Sequence, residues 1–181
     1  MCRESILRDD QACPYIHSRD IPLSEFDITM NVNLRAPFLL VKGVVDGMKA
    51  QRWGRIIFVS SIAAYGGGMN GCHYAASKGG LMGMMKNLST VLSPMGISVN
   101  DVAPAMIGDT GKSAKPCSQA TTFRDSHFAG LIPDASGFPG LVESIPVGRL
   151  GHPDEVAKAV IMFATTGYTT GQSLVIAGGL K

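Results

Sequence analysis

The amino-acid sequence predicts an α/β fold, a parallel sheet covered by helices. Two observations carry that prediction. Amphipathic helical stretches alternate with short apolar runs in the order helix, strand, helix, strand, loop, helix, strand. The run "RIIFVS" is apolar at consecutive positions, as suits a parallel strand buried on both faces. The chain of 181 residues, 45% hydrophobic and 17% charged, reads as one globular domain over 1–181, long enough to bury a sizeable core.

The elements follow in order. Residues 1–21 mix both charges without a hydrophobic period and read as an irregular N-terminus, with no apolar run of a secretory leader. Ser24 is a candidate N-cap, with Asp27 three residues on. Phe26, Met30, Leu34, Phe38, Val41, Val45 and Met48 then recur at three- and four-residue spacing, which predicts a long amphipathic helix. Pro37 is placed to kink it, and Arg52-Trp53-Gly54 ends it. "RIIFVS" is the first strand. A Gly-rich loop leads to a helix over Cys72–Leu92, and "GISVNDVAP" is the second strand, stopped by Pro104. Residues 105–140 form an irregular segment, long for a compact domain. "HPDEVAKAVIMFATT" is a helix with Pro153 in its first turn and acidic residues at its positive end. "SLVIAG" is the last strand.

Composition excludes several classes. Lys+Arg 16 against Asp+Glu 14 gives a net charge of +2 without a basic run, which argues against a nucleic-acid partner. No apolar stretch approaches the roughly 20 residues that span a bilayer, so no membrane span is expected. Cys2, Cys13, Cys72 and Cys117 have no metal-ligand spacing. They read as thiols of a reducing compartment, and a cytoplasmic location with no metal is the expectation.

Chemistry concentrates in "SSIAAYGGGMNGCHYAASKGG". Tyr74 and Lys78 are four apart on a predicted helix and share a face. A phenol titrates near pH ~10, and an ammonium beside it stabilises the phenolate and draws that value down toward neutrality. Alone, Tyr and Lys at this spacing more often mark a solvated helix face. The serines Ser60 and Ser61 change the balance, because they end a buried strand just before this helix, where open α/β sheets bind ligands. A serine hydroxyl there can donate to a carbonyl oxygen as negative charge develops on it.

Two further patterns carry nothing. Gly66 to Gly71 satisfies G-x-G-x-x-G, but "SIAAY" separates it from the strand and no acidic residue follows about 20 positions on. It reads as a loop beside the site. Gly111-Lys112-Ser113 lacks the glycine five residues earlier that a phosphate loop needs, Met106 standing there.

Together "RIIFVSSIAAYG", "YAASKGGLMGMMKNLS", "GISVNDVAPAMI" and "IPVGRLGHPDEVAKAVIMFAT" with "TGQSLVIAGG" resemble the short-chain dehydrogenase/reductase family, most of all its 3-oxoacyl-(acyl-carrier-protein) reductases. The resemblance covers most of 22–181. It implies an NAD(P)(H)-dependent oxidoreductase that interconverts a small-molecule carbonyl and its alcohol. NADP or NAD is the implied cofactor, 3-oxoacyl thioesters the implied substrates, and a homodimer or homotetramer the implied assembly. Tyr74 is then the general acid and base, and Lys78 its pKa-lowering neighbour and ribose ligand. Ser61, thirteen residues before Tyr74, positions the substrate, with Ser60 as the alternative. Asn33 supports a proton relay through a water, with Asn31 as the alternative. Pro104, Ala105 and Ile107 join Tyr74 and Lys78 against the cofactor.

The resemblance also defines departures. The dinucleotide fingerprint and the Asn-Asn-Ala-Gly stretch of the family have no counterpart. The chain is therefore expected to begin just before the fourth crossover helix, as an incomplete doubly wound Rossmann-type sheet. It keeps strands 5, 6 and 7 of the order 3-2-1-4-5-6-7, with "RIIFVS" as an apolar edge. Ala105 replaces a glycine, Asp109 stands where a threonine is usual, and Ala177 stands where an aspartate is usual. Residues 112–130 read as an insertion in the substrate loop, since removing them restores a family-like length. Gly-Lys-Ser can be encoded with GTAAGT and Ala-Gly with CAG, as a short intron translated in frame would give; an ordinary variable loop is the alternative. Against the reductase stands a second expectation, a catalytically inactive truncated fragment acting at most as an interaction module.

Overall fold

The computed structural model describes residues 18–108 and 140–180. A short 3-10 turn, Ser18–Asp20, precedes helix α1, Leu23–Met30. A π-helical turn over Asn31–Arg35 joins α1 to α2, Ala36–Gln51. Strand β1 is Gly54–Val59, and a single turn, α3 (Ala63–Gly66), leads to the long helix α4, Cys72–Leu92. Strand β2 is Ile97–Pro104. Beyond the undescribed stretch come a short helix, α5 (Leu141–Ser144), then α6, Pro153–Thr165, and strand β3, Ser173–Ile176.

The three strands form one parallel sheet in the order β1-β2-β3. Gly54 stands opposite Ile97 and Val59 opposite Val102, while Asp101 to Pro104 pair with Ser173 to Ile176. Alternate residues of a strand face opposite ways, and both faces are apolar. Ile56 and Phe58 of β1 join Ile97 and Val99 of β2 in a core closed by Val41 of α2 and by Leu81, Met85 and Leu92 of α4. Val102 faces the other way, onto Ala159 and Phe163 of α6, with Ile57 beside them. Helices thus cover both faces of a parallel sheet. On the side of β1 away from β2 no strand pairs among the described residues. A groove of about 440 Å³ runs there between α2 and the strand, lined by Val41, Val44, Met48, Ile56, Phe58 and Val59.

Two turns require glycine. Gly96, at φ +78°, lies where a Cβ would stand 2.1 Å from the Arg52 carbonyl oxygen, so the turn into β2 passes flat against the end of α2. Gly71, at φ +85°, is the N-cap of α4, and a Cβ there would meet the His73 imidazole at 2.9 Å.

The structure departs from expectation at the first helix. Ser24 is not its cap. The helix starts at Leu23 behind an extended Pro22, whose carbonyl accepts from Glu25 N and Phe26 N at 3.0 Å, which leaves Ser24 inside the first turn. At Pro37 the helix is distorted without being broken. The proline ring would clash with the carbonyl four residues back, and the chain accommodates this by widening to a π turn over Asn31–Arg35, closed by Ala36 N to Asn31 O. Helix α6 follows expectation. Pro153 begins it, and His152 and Glu155 form a reciprocal capping box. Residues 1–17, and 109–139 with the expected insertion at 112–130, lie outside the described residues.

Met85 is fully buried at the centre of the larger core. Met85→Ala is expected to lower unfolding stability by about 2–5 kcal/mol, read from the urea midpoint. Removal of the exposed Tyr168 side chain should leave that midpoint in place. A smaller effect is pH-dependent. Arg149 donates to both Glu155 oxygens at 2.9 and 2.8 Å, and His152 N donates to Oε2 at 2.7 Å. The Arg149 bonds first, then the His152 bond, hold the Glu155 carboxyl at about 2, below its ordinary 4.5. A carboxyl depressed in the folded state stabilises above its unfolded value, and that contribution is lost as pH falls through the folded one. The gap in urea midpoint between wild type and Glu155→Gln should therefore be present at about pH 6 and close between about 4.5 and about 2. A gap that stays constant across that range would exclude the ionised Glu155 as its source.

Candidate active site

The carboxyl ends of β1 and β2 and the first two turns of α4 meet at one place, which is where an open parallel sheet offers a site. Tyr74 lies in the first turn of α4 and is 6% exposed. Lys78, one turn later, is half-buried. Its Nζ lies over the Tyr74 ring, 5.7 Å from the centroid, and donates to the Val59 carbonyl at 2.9 Å. Spacing on the helix and the end of the strand therefore bring together the two residues that the sequence singled out.

Three consecutive residues at the end of β1 hold three different partners. Val59 O accepts from Lys78. Ser60, buried, turns into the sheet, and its hydroxyl donates to Asp101 Oδ2 at 2.7 Å. Ser61, half-buried, turns the other way. Its side chain hydrogen-bonds Tyr74, and its oxygen accepts from Ala63 N at 3.2 Å. The two serines are thus separated by the alternation of the chain.

The electrostatics differ from the expectation of an acidified phenol. Burial pushes the Tyr74 phenol above its ordinary 10.0, and the Ser61 bond offsets only part of that. Lys78 lies over the ring and donates its hydrogen bond to the Val59 carbonyl, so burial governs the hydroxyl. Burial also pushes Lys78 below 10.5, while the negative charge of Asp101 acts in the opposite sense.

Asn33 lies in the π turn and is half-buried. Its Nδ2 donates to Ser77 Oγ at 3.1 Å, and Ser77 Oγ donates to the Tyr74 carbonyl at 2.7 Å. Asn31 is exposed. Pro37 has no N–H, so the Asn33 carbonyl lacks the donor that an α-helix would supply four residues on. Pro104 ends β2, and Ala105 N donates to Ile176 O at 2.9 Å. Ile107, 7% exposed, forms a parallel bridge to Gly151. That bridge is closed by Gly151 N donating to Met106 O and Gly108 N donating to Gly151 O, both at 2.9 Å. Asp109 lies outside the described residues.

The sequence reading missed three residues. Asp101 is fully buried in β2, Ser77 links Asn33 to α4, and buried His73 pairs through Nε2 with Glu25 Oε1 at 3.4 Å. Only Asp101 left a signal, as a lone acid inside an apolar strand. Among the described residues no group of His, Cys, Asp and Glu is arranged to hold a metal, and no helix is long and apolar enough to cross a membrane.

The family model described as short chain dehydrogenase matches residues 16–119. The 3-oxoacyl-[acyl-carrier-protein] reductase FabG of Rickettsia felis is 34% identical over 99% of this chain and 66% of its own length. The L-rhamnose 1-dehydrogenase (NAD(P)(+)) of Azotobacter vinelandii is 33% identical over 93% of this chain and 60% of its own length. The crystal structure of a Brucella melitensis 3-oxoacyl-[acyl-carrier protein] reductase with bound NAD superposes with a TM-score of 0.73 and 29% identity. It covers 94% of this chain and 57% of that one. The chain thus spans a little under two thirds of these relatives. A matching model over most of the described sheet, together with a Ser-Tyr-Lys cluster at the strand ends, makes the chain a member of the short chain dehydrogenase family.

Proposed function

We propose that this chain carries the proton-transfer part of an NAD(P)(H)-dependent carbonyl reductase site, acting on 3-oxoacyl thioesters. The observation that carries the reading is the cluster itself. A buried phenol is bonded to Ser61 and lies under the Lys78 ammonium at the open ends of two parallel strands. The named activities of the relatives in Rickettsia and Brucella support the substrate class. The same reading assigns strands β1, β2 and β3 to strands 5, 6 and 7 of the family sheet, and association into dimers or tetramers.

Tyr74 is the acid. In the reducing direction a carbonyl oxygen gains a proton, and a phenol whose pKa is raised by burial is protonated at neutral pH and able to give it. Ser61 donates to the same oxygen and holds it against the phenol, which stabilises the charge that develops there. Lys78 supplies positive charge beside the phenolate left behind. Asn33 braces the first turn of α4 through Ser77, and its carbonyl, without an α-helical donor, can accept from a water that returns the proton.

A nicotinamide cofactor supplies the hydride to the carbonyl carbon. The donor set fits the nicotinamide-ribose end of NAD or NADP: a cation at Lys78 and a hydroxyl at Tyr74, with Ile107 placed beyond the end of β2. Pro104 and Ala105 line the same end. Among the described residues the Gly66–Gly71 loop joins α3 to α4 and makes no strand–turn–helix cradle for a pyrophosphate.

The test uses the chain with an acetoacetyl thioester and NADPH or NADH, following absorbance of the reduced nicotinamide. Tyr74→Phe should lower turnover by about 10²–10⁴-fold, with cofactor affinity, read by nicotinamide fluorescence, weakened far less than turnover. Lys78→Ala should lose both. Turnover retained by Tyr74→Phe would remove the phenol from the reaction. Absence of both cofactor binding and turnover in wild type would favour the inactive interaction module.

A further inference from the structure

Asp101 is the fully buried acid of the central strand, on the face of β2 that Ile97 and Val99 share and α4 covers. A carboxylate out of water needs hydrogen bonds or a counter-charge. Its Oδ1 accepts from Ser60 N at 3.0 Å, and its Oδ2 accepts from Ser60 Oγ at 2.7 Å. The Ser173 hydroxyl also donates to Oδ2, and Tyr65 OH donates in turn to Ser173 Oγ at 2.6 Å. Every one of these donors is neutral. Among the described residues no Lys, Arg or His forms an ion pair with it. The neutral donors hold a full negative charge in place without cancelling it, next to the strand end where Lys78 and Tyr74 are seated.

We propose that Asp101 is a positioning residue of this site, which clamps Ser60 so that Val59 and Ser61 meet Lys78 and Tyr74, and supplies the negative charge that answers the Lys78 ammonium. The clamp acts on the middle one of three consecutive residues. Val59 receives Lys78, and Ser61 bonds Tyr74. Two bonds from one carboxylate to the backbone and side chain of Ser60 fix the rotation of the strand end, and therefore both neighbours. The charge acts separately. Burial works against the ammonium of Lys78, and Asp101 works for it. The other titratable groups facing Lys78 are Tyr74 on its own helix and Arg55 along the groove outside β1. The wall of that groove contributed by α2 is apolar, through Pro37, Leu40, Val41 and Val44.

The electrostatic part stands without any activity; only its catalytic consequence rests on the reductase reading. The experiment follows the Lys78 side-chain NMR signal in the isotope-labelled full chain against pH, assigned by its absence in Lys78→Met. In Asp101→Asn the Lys78 midpoint should move to lower pH. In Ser60→Ala, which keeps the carboxylate and loses one of its bonds, it should stay near that of wild type. An unmoved midpoint in Asp101→Asn, or an equal displacement in both variants, would overturn the charge role. If Asp101→Asn does not fold, the reciprocal variant decides. In Lys78→Met the Ser60 amide signal, which reports on the carboxylate it bonds, should move from its wild-type position at neutral pH, and an unmoved signal would overturn the proposal. Turnover then separates the two readings. A shifted Lys78 midpoint without carbonyl reduction upholds Asp101 and removes the reductase. Reduction whose alkaline limb is the same in Asp101→Asn and wild type upholds the reductase and removes Asp101.

Discussion

The parallel register of β1 on β2 is the constraint on which the site depends. With Val59 opposite Val102, the last residues of β1 emerge beside the last polar residue of β2's buried run. Side chains alternate along a strand, so a slip by one residue would exchange the faces of Ser60 and Ser61. Ser60 would then turn away from Asp101 and Ser61 away from Tyr74, so neither Tyr74 nor Asp101 would keep its partner. The two apolar faces of β1 oppose such a slip. Ile56 and Phe58 belong to the core under α2 and α4, and Ile57 to the core under α6, so moving either set costs burial on both sides of the sheet.

The second constraint comes from Pro37. A proline one turn into a helix removes a hydrogen bond and crowds the carbonyl four residues earlier, which is Asn33. The π turn relieves that crowding and stays helical on both sides, so α1 and α2 continue as one rod. Within that turn Asn33 reaches across to Ser77 while its carbonyl is left out of the α-helical ladder. Single π turns inside helices recur at functional sites because they change which groups a helix presents. Here the change turns a helix that packs on α4 into one that also braces the first turn of α4, behind Tyr74.

Much of this was legible in the sequence, and the particular elements explain how much. Helix α4 was legible over its full extent, Cys72–Leu92, between the Gly-rich loop and the strand that follows it. Strand β1 was legible because a parallel strand buried between two layers is apolar at consecutive positions. The start of α1 was not, since Ser24 has the chemistry of a cap while Pro22 has the geometry of one. Tyr74, Lys78 and Ser61 were legible through spacing and family resemblance together. Asp101, Ser77 and the His73–Glu25 pair were not, because each gains its meaning from a partner far along the chain. Asp101 is 41 residues from Ser60 and 72 from Ser173, and no local pattern encodes such a meeting.

Electrostatics is where spacing misled most. Four residues on a helix place a lysine beside a tyrosine, and in water that would suffice to draw the phenol's pKa down. Burial changes the outcome by disfavouring both charged forms at once, the phenolate and the ammonium. The phenol rises and the lysine falls, so each of the pair needs support from a third group. Ser61 gives that support to Tyr74, and Asp101 gives it to Lys78. Burial keeps the Tyr74 phenol protonated, and the contacts that favour the charged forms of the pair come from β1 and β2, not from the helix that carries both residues. The chemistry legible as Tyr-x-x-x-Lys is therefore completed by the strand ends, and the pairing of those strands governs it.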